Sequence, residues 1–247
     1  MFLWSRAGLW GKVGDVSFGC LDSCAGCTAA HRVYNTAMIW TVVAVLIVFC
    51  LLIAAEYASR AKRIHAELTR KFVHMTVGSF VAFWPFFLTW HEIELLSLAF
   101  FVVVAMSVKF NVFRSIHAVQ RNMTGELLFA VTIGLLALIS HNQWIFMAAM
   151  LNLSLGDGMA AIVGTLWGGG NQYKIFGRTK SRIGTGAFFV TAVVISLFYV
   201  AVGPAHADIT VLLLVPIIAT LSENVAVYGT DNLVMPLLLA LVLSGSI

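Results

Sequence analysis

The stretch QWIFMAAMLNLSLGDGMAAIVGTLWG, residues 143–168, decides the fold, because it is an apolar run interrupted by an acid. About 20 apolar residues are enough for a helix to cross the hydrocarbon core of a bilayer. Asp157 lies inside this run, between Gly156 and Gly158. A carboxylate at membrane depth is costly, by ~2.5–3.5 kcal/mol on insertion scales. The two glycines beside it predict a broken helix whose irregular backbone is covered by protein or by a polar cavity.

The rest of the chain has the same apolar character. Of its 247 residues 60% are apolar and 11% are charged, and the mean hydropathy is +0.94. A soluble domain is usually about 45–50% apolar and about 25% charged. We therefore predict an all-α, polytopic membrane bundle of about eight transmembrane helices, one of them broken. The predicted spans are residues 38–55, 72–90, 93–108, 125–140, 143–168, 184–203, 209–221 and 233–246.

A weakly polar, glycine-containing segment, residues 1–37, precedes the first span and is predicted to be a weakly ordered tail. Residues 38–247 are predicted to form a single membrane domain. The spacing of Cys20, Cys24 and Cys27 also occurs in iron–sulfur proteins, but nothing else in the chain supports that chemistry.

The basic residues indicate the orientation in the membrane. All but three of the 15 Lys and Arg residues lie in the segments 60–71, 109–121 and 174–182. The alternate loops contain neither Lys nor Arg. The positive-inside rule then predicts cytoplasmic basic loops and both termini on the opposite side. This distribution does not form a basic groove for nucleic acid, so no nucleic-acid partner is expected.

Glu67, Arg70, Lys71 and His74 follow one another at helical spacing and share one face where the second span begins. One interpretation is a salt-bridged interfacial helix with snorkelling cations. The other is a cationic face for phosphate, which Glu67 orients or supplements as a metal ligand. Asp157 has two interpretations as well: it pairs with a base on a neighbouring helix, or it coordinates Mg²⁺ between phosphate oxygens.

The segment GRTKSRIGT, residues 177–185, is polar and basic and leads into the sixth span. A helix N-terminus offers free N–H groups to anions. Lys180 adds charge, and Ser181 and Thr185 add hydroxyl groups. A plain positive-inside loop would have the same composition, and the spacing is not that of a Walker A loop.

Further acids lie at predicted helix ends. Glu126 opens the fourth span, where an acid is common at a helix N-terminus. Glu223, Asp231 and Asn232 lie between the last two spans. They become candidates because the predicted topology puts them on the same membrane side as the motifs around Asp157.

Taken in chain order, these elements resemble the phytol kinase/dolichol kinase family of lipid-alcohol kinases, many of which use CTP. The matching elements are Glu67-x2-Arg70-Lys71-x2-His74-x3-Gly78, Gly125-Glu126-Leu127, Gly156-Asp157-Gly158-Met159-Ala160-Ala161-Ile162-Val163-Gly164, Gly177-Arg178-Thr179-Lys180-Ser181-x2-Gly184-Thr185, and Glu223 with Asp231-Asn232-x3-Pro236. They cover about residues 56–240.

The resemblance implies that residues 38–247 are a catalytic domain that transfers the γ-phosphate of CTP, or of another nucleoside triphosphate, to a long-chain lipid alcohol with Mg²⁺ as cofactor. Phytol, geranylgeraniol, farnesol and dolichol are the expected acceptors, and the active site is expected to face the cytoplasm. The implied catalytic residues are Asp157, Glu67 and His74; the implied nucleotide-binding residues are Arg70, Lys71, Lys180, Ser181, Gly184, Thr185 and Asn232; the implied metal ligands are Asp157, Glu223 and Asp231.

Other functions share this membrane setting. A diacylglycerol kinase would use the same chemistry on another lipid. A phosphatidate cytidylyltransferase-like enzyme would also use CTP but would release pyrophosphate rather than CDP. An ion-coupled transporter would use Asp157 and the broken span as an ion site, although we find no internal repeat of the kind common in transporters.

Overall fold

A computed structural model describes residues 38–54, 57, 66–110, 123–203, 209–226 and 229–245. Its helices are α1 (Met38–Ala54), α2 (Ala66–Ala82), α3 (Trp90–Phe110), α4 (Met123–Ser140), α5 (Gln143–Leu151), α6 (Asp157–Trp167), α7 (Arg182–Val202), α8 (Val211–Val225) and α9 (Asp231–Ser244). A 3-10 turn (Trp84–Phe86), a π-helical segment (Asn152–Gly156) and two strands, β1 (Gln172–Ile175) and β2 (Arg178–Ser181), complete the described elements. The predicted tail, residues 1–37, with Cys20, Cys24 and Cys27, lies outside the described residues.

The predicted all-α class is confirmed, and a described helix overlaps each predicted span. Three helical segments are long and apolar enough to cross a membrane: Trp90–Ser107, Gln143–Trp167 and Arg182–Val202. Four shorter apolar helices accompany them, namely α1, the part of α4 from Gly125, α8 and α9. The chain is therefore a helical membrane protein, while the number of eight spans stays a prediction.

The predicted break at Asp157 is wrong, because the helix continues from Gln143 to Trp167. A π-helical turn at Asn152–Gly156 joins α5 to α6, and both Gly156 and Asp157 keep helical backbone angles. A π turn adds a residue to the helix without ending its hydrogen bonding. The backbone can therefore accommodate Gly156 without exposing unpaired polar groups at membrane depth.

The inserted residue changes the direction in which the following side chains point. Each residue of an α-helix turns the chain by about 100°, so one extra residue rotates α6 by that amount relative to α5. The polar side chains of the π turn bond within the helix: Asn152 Nδ2 donates to Ala148 O at 2.9 Å, and Ser154 Oγ donates to Met150 O at 2.8 Å. Asp157 is thus the first residue after the turn and is left to face other helices.

This helix forms the centre of the bundle. Nearly all of α5 is buried, and α2, α7 and α9 pack around the continuous segment. At Gly78 the helices approach closely, since a Cβ there would lie 2.6 Å from Ser154 Cβ. On the outside α1 is joined to α3 by a hydrogen bond of 2.7 Å from Thr41 Oγ1 to Glu92 Oε1.

Between α6 and α7 the chain forms an antiparallel hairpin where the sequence predicted a loop. Its register pairs Gln172 with Ser181 and Ile175 with Arg178. Gly177, in the turn, has a φ of +76°, which glycine adopts without strain. The second strand ends at Ser181, whose Oγ accepts a hydrogen bond of 2.9 Å from Gly184 N and caps α7.

Candidate active site

Three carboxylates from three different helices meet at one end of the bundle. Asp157 begins α6, Glu223 lies in the last turn of α8, and Asp231 begins α9. One oxygen from each lies within 4.8 Å of the other two. Among the described residues, the buried Asp231 Oδ1 has no hydrogen-bond partner. Like charges at this distance repel one another, so neighbouring cations or bound protons must offset the repulsion.

Two lysines supply part of the compensating charge. Lys71, from α2, donates a hydrogen bond to Asp157 Oδ2. Lys180, from β2, lies 2.9 Å from Glu223 Oε1 and also donates to the Glu223 backbone carbonyl. All four side chains are at most 15% exposed, so water screens these pairs less than it screens surface pairs.

A cleft of about 430 Å³ opens beside the carboxylates, between α6, the hairpin, α7 and α8. The predicted phosphate-binding residues Lys180, Ser181, Gly184 and Thr185 line it together with Asp157 and Glu223. The backbones of α6 and α7 are close here, since a Cβ at Gly184 would lie 2.7 Å from Ala160 O. The residues at 184 and 164 are both glycine, which permits this approach.

A chain of hydrogen bonds fixes the polar wall of the cleft. The Tyr173 hydroxyl lies 2.5 Å from Thr185 Oγ1 and donates to Asn224 Oδ1 at 2.5 Å. These bonds join β1 to α7 and α8. Tyr173 carries no signal in the sequence, because its bonds depend on the hairpin. The adjacent Glu223 is the only sequence signal that points to Asn224.

A smaller pocket of about 40 Å³ lies on the other side of Asp157. It is lined by Arg70, Lys71, His74, Gly125, Asp157, Arg178, Gly229, Asp231 and Asn232. Asp157 therefore bonds to Lys71 on the polar face of α2 and also lines the cleft that the 180–185 turn borders. Arg178, which belongs to the GRTKSRIGT motif, was not predicted as a site residue but lines this pocket.

His74 is the least satisfied of the predicted catalytic residues. Its ring packs edge-on against Phe129, with 4.7 Å between the ring centroids. The ring also bonds to the backbone of Leu153, in the π-helical segment. Its buried Nε2 has no partner among the described residues. Because the backbone carbonyl accepts a hydrogen bond from the other ring N–H, the tautomer with an unprotonated Nε2 is favoured.

Other predicted residues have structural bonds of their own. Asn232 Nδ2 donates to Gly125 O at 2.6 Å, and Asn232 O accepts from Thr132 Oγ1 at 2.6 Å. These bonds hold the start of α9 against α4, so a nucleotide contact by Asn232 depends on its Oδ1. Glu67 lies in the first turn of α2, but its side chain is outside the described residues.

This arrangement suits a divalent cation bound to a polyphosphate. Carboxylate oxygens are the ligands that Mg²⁺ prefers, and Mg²⁺ sites commonly combine one or two carboxylates with substrate phosphates. Lysines and a helix N-terminus beside such a site bind the remaining phosphate charge. The fold and the site together define a helical membrane protein with a buried acidic cluster between two cavities.

Comparison with known proteins agrees with the resemblance of the motifs. A protein of Synechocystis sp. named phytol kinase is 33% identical to this chain over 204 residues, which cover 77% of this chain and 84% of that protein. No protein-family model matches the chain, and no solved structure matches it. At this identity and coverage, the chain belongs to the phytol kinase/polyprenol kinase family.

Proposed function

We propose that this protein is a Mg²⁺-dependent lipid-alcohol kinase that transfers the γ-phosphate of CTP to the hydroxyl of a prenol-type alcohol. The observation that carries the proposal is the meeting of Asp157, Glu223 and Asp231 between a polar cleft and the α2 face. The Synechocystis relative named phytol kinase supports the same class of acceptor.

The acidic cluster fits the proposed metal ion. Three carboxylate oxygens lie close together, and Asp231 Oδ1 is buried without a partner among the described residues. We propose that Asp157, Glu223 and Asp231 hold Mg²⁺, which when bound neutralises charge on the triphosphate. The same ion would also offset the repulsion among the three carboxylates, so it would stabilise both the folded site and the bound triphosphate.

We propose that the donor triphosphate occupies the larger cleft. Lys180 and the hydroxyl of Thr185 face it, and the first turn of α7 supplies backbone N–H groups beyond the one that Ser181 caps. In phosphoryl transfer the protein mainly positions the reactants and stabilises charge. Lys180 would then divide its charge between Glu223 and a phosphate oxygen.

We propose that the acceptor hydroxyl approaches from the smaller pocket, where His74 Nε2 accepts its proton. The alcohol oxygen forms a bond to the γ-phosphorus as the bond to the bridging oxygen breaks, and CDP leaves. Lys71 keeps Asp157 oriented towards both cavities. In the proposed topology this site faces the cytoplasm, where a soluble nucleotide is available.

The test is transfer of label from γ-³²P-CTP to phytol, farnesol, geranylgeraniol or a dolichol by purified protein with Mg²⁺. Asp157→Asn is expected to lower kcat by about 10²–10³-fold, the range for removing one charge-stabilising group. Glu92→Gln is the matched control, because Glu92 lies at the start of α3 and bonds to Thr41 and Thr89 outside the site. It should leave kcat within about twofold.

The products separate the alternatives. Release of pyrophosphate with a CDP-lipid would indicate a cytidylyltransferase, and transfer to diacylglycerol alone would indicate a different lipid kinase. Substrate flux in proteoliposomes without nucleotide would indicate a transporter. Folded protein that fails with every alcohol and every nucleoside triphosphate would remove the proposal.

A further inference from the structure

An apolar cavity of about 80 Å³ begins at His74 and lies between α1, α2, α3 and α4. Its wall includes Leu52, Val77, Phe100 and Val103. Polar groups gather only at its inner end, which is lined by Arg70, His74, Ser107, Glu126 and Asn232.

A second cavity of about 110 Å³ continues the first along the bundle. The two share Leu52, Val77, Phe100 and Val103, so they form one groove. The far end is lined by Trp84, Leu96 and Ile133, and the described residues that line this second part carry no charge. We call the two cavities together the apolar groove.

The apolar groove reaches the acidic cluster through the small pocket. Arg70, His74 and Asn232 line both the first cavity and the small pocket, and Asp157 lines both the small pocket and the large cleft. The three cavities are therefore adjacent in the order cleft, small pocket and apolar groove. Asp157 lies between the cleft and the small pocket, and His74 lies between the small pocket and the groove.

The groove is also open towards lipid. Phe49 of α1 is 44% exposed and Val103 of α3 is 42% exposed, although both line the groove. A hydrocarbon chain could therefore enter from the bilayer between α1 and α3. Ordinary lipid covers any apolar surface of a membrane protein, but here the surface ends at a buried ring nitrogen of His74 that has no hydrogen-bond partner in the described part of the chain.

We infer that the apolar groove holds the isoprenoid chain of the acceptor, with its hydroxyl end at His74. The inference rests on the proposed kinase function. It places the nucleotide and the lipid alcohol on opposite sides of Asp157. The occupant must be apolar along its length and polar at one end, because the groove has that distribution of side chains. A prenol-type alcohol has this form, whereas a nucleotide would bury charged phosphates among apolar side chains.

The groove is long enough only for the part of the isoprenoid chain that lies nearest the hydroxyl. Val81, near the far end, follows His74 by seven residues in α2, which corresponds to about 10 Å at 1.5 Å per residue. Longer chains would leave the groove beyond Ala99 or Phe49 and continue in the bilayer. The walls therefore select for the first isoprene units rather than for total chain length.

Two substitutions in α3 test the groove at different depths. Val103→Phe fills the part near His74 and is expected to lower kcat/KM about tenfold for prenol, geraniol and geranylgeraniol alike. Ala99→Phe fills the far part and should lower kcat/KM about tenfold for geranylgeraniol but less than twofold for single-isoprene prenol. Val102→Phe is the matched control, because Val102 is 46% exposed on the same helix and does not line the groove.

In each variant the KM for the donor should stay within about twofold, since the filled cavity is on the other side of Asp157. Thermal unfolding in detergent checks that the variants fold; a variant that does not fold is replaced by the smaller Ala99→Leu or Val103→Leu. Equal losses for all acceptors with Ala99→Phe, or no loss with both variants, would overturn the inference.

Photolabelling gives a measurement that does not depend on activity. A diazirine analogue of farnesol, irradiated with the protein in nanodiscs, should label groove residues of α1 and α3, and excess geranylgeraniol should compete. Label confined to the lipid-facing residues Leu98 and Val102, without competition, overturns the groove even if the enzyme transfers phosphate. Competed label in the groove of a protein without kinase activity would support the alcohol site and reject the kinase.

Discussion

The large cleft and the apolar groove lie on either side of the small pocket that Asp157 and His74 line, and they are built from different side chains. In the cleft, the wall residues Thr185 and Asn224 bond to each other and to Tyr173 behind them, so the wall is fixed before any ligand binds. In the groove, branched and aromatic side chains form the wall, and none of the residues that the structure describes bonds to His74 Nε2. A fixed polar wall favours a rigid, charged ligand, and an apolar wall favours a flexible hydrocarbon. Substitutions in the cleft should therefore change the KM for CTP, and substitutions in the groove should change the KM for the lipid alcohol.

The largest effect is expected where both sides meet, at the acidic cluster. Asp231→Asn removes a charge whose Oδ1 has no partner among the described residues. It should lower kcat about 10²-fold and raise the Mg²⁺ concentration for half-maximal rate about tenfold or more. The measurement is the rate as a function of Mg²⁺ at saturating substrates.

The same substitution should leave the thermal midpoint unchanged or higher, because it removes repulsion from Asp157 and Glu223. Glu94→Gln is the control, since Glu94 lies on α3 beside the exposed His91. An unchanged Mg²⁺ dependence in Asp231→Asn would exclude Asp231 as a metal ligand.

The next largest effect is expected for a substitution that changes only the cleft. Lys180→Met removes the cation 2.9 Å from Glu223 Oε1 while keeping much of the apolar stem. We expect the KM for CTP to rise about 10–30-fold, because a charge-assisted hydrogen bond from a cation that Glu223 shares contributes ~1.5–2 kcal/mol, the lower part of the usual range. The KM for the lipid alcohol should change by less than about twofold.

Steady-state kinetics with each substrate varied in turn measures this separation. Lys174→Met is the matched control, since Lys174 is on β1 of the same hairpin and does not line the cleft. If Lys180→Met raised both KM values equally, the two cavities could not be assigned to separate substrates.

A smaller effect is expected from the wall of the cleft. Tyr173→Phe removes the hydroxyl that contacts Thr185 and Asn224 and keeps the ring. A net hydrogen bond contributes about 1 kcal/mol, so the KM for CTP should rise about threefold to tenfold. Titration of a fluorescent CTP analogue checks this. No change in affinity would mean that the hydroxyl network stabilises the hairpin without orienting the donor.

The sequence predicted the helices well because hydropathy is a local property. The acid within the apolar run also indicated a site, since a carboxylate such as Asp157 needs partners from other helices. The spacing could not predict the π turn at Asn152–Gly156, because the choice between a break and an extra residue depends on packing against Gly78 and Ser79. For that reason Gly156 and Gly158 predicted a break in the helix, whereas the helix continues through a π turn.

The missed residues share a physical cause. Tyr173 and Asn224 are far apart in the chain and meet only through the hairpin and the end of α8. The strands of this hairpin have four residues each, and an apolar–polar alternation this short resembles a loop. The apolar groove could not be predicted from the sequence either, because the side of α3 that faces the groove and the side that faces lipid are both apolar.

The smallest predicted effect tests whether the hairpin acts on the cleft at all. Gly177→Ala forces a side chain into a φ of +76°, although its Cβ would meet nothing within 4 Å. The cost is therefore backbone strain alone, about 1 kcal/mol. Because β2 contains both Lys180 and Ser181, the residue that caps α7, this strain should lower the thermal midpoint slightly and raise the KM for CTP less than about threefold. Gly170→Ala is the matched control, since its Cβ is equally unhindered and its φ is not positive. A fall in thermal stability with an unchanged KM for CTP would show that the hairpin turn and the donor site move independently, and the fixed wall would then begin only at Tyr173.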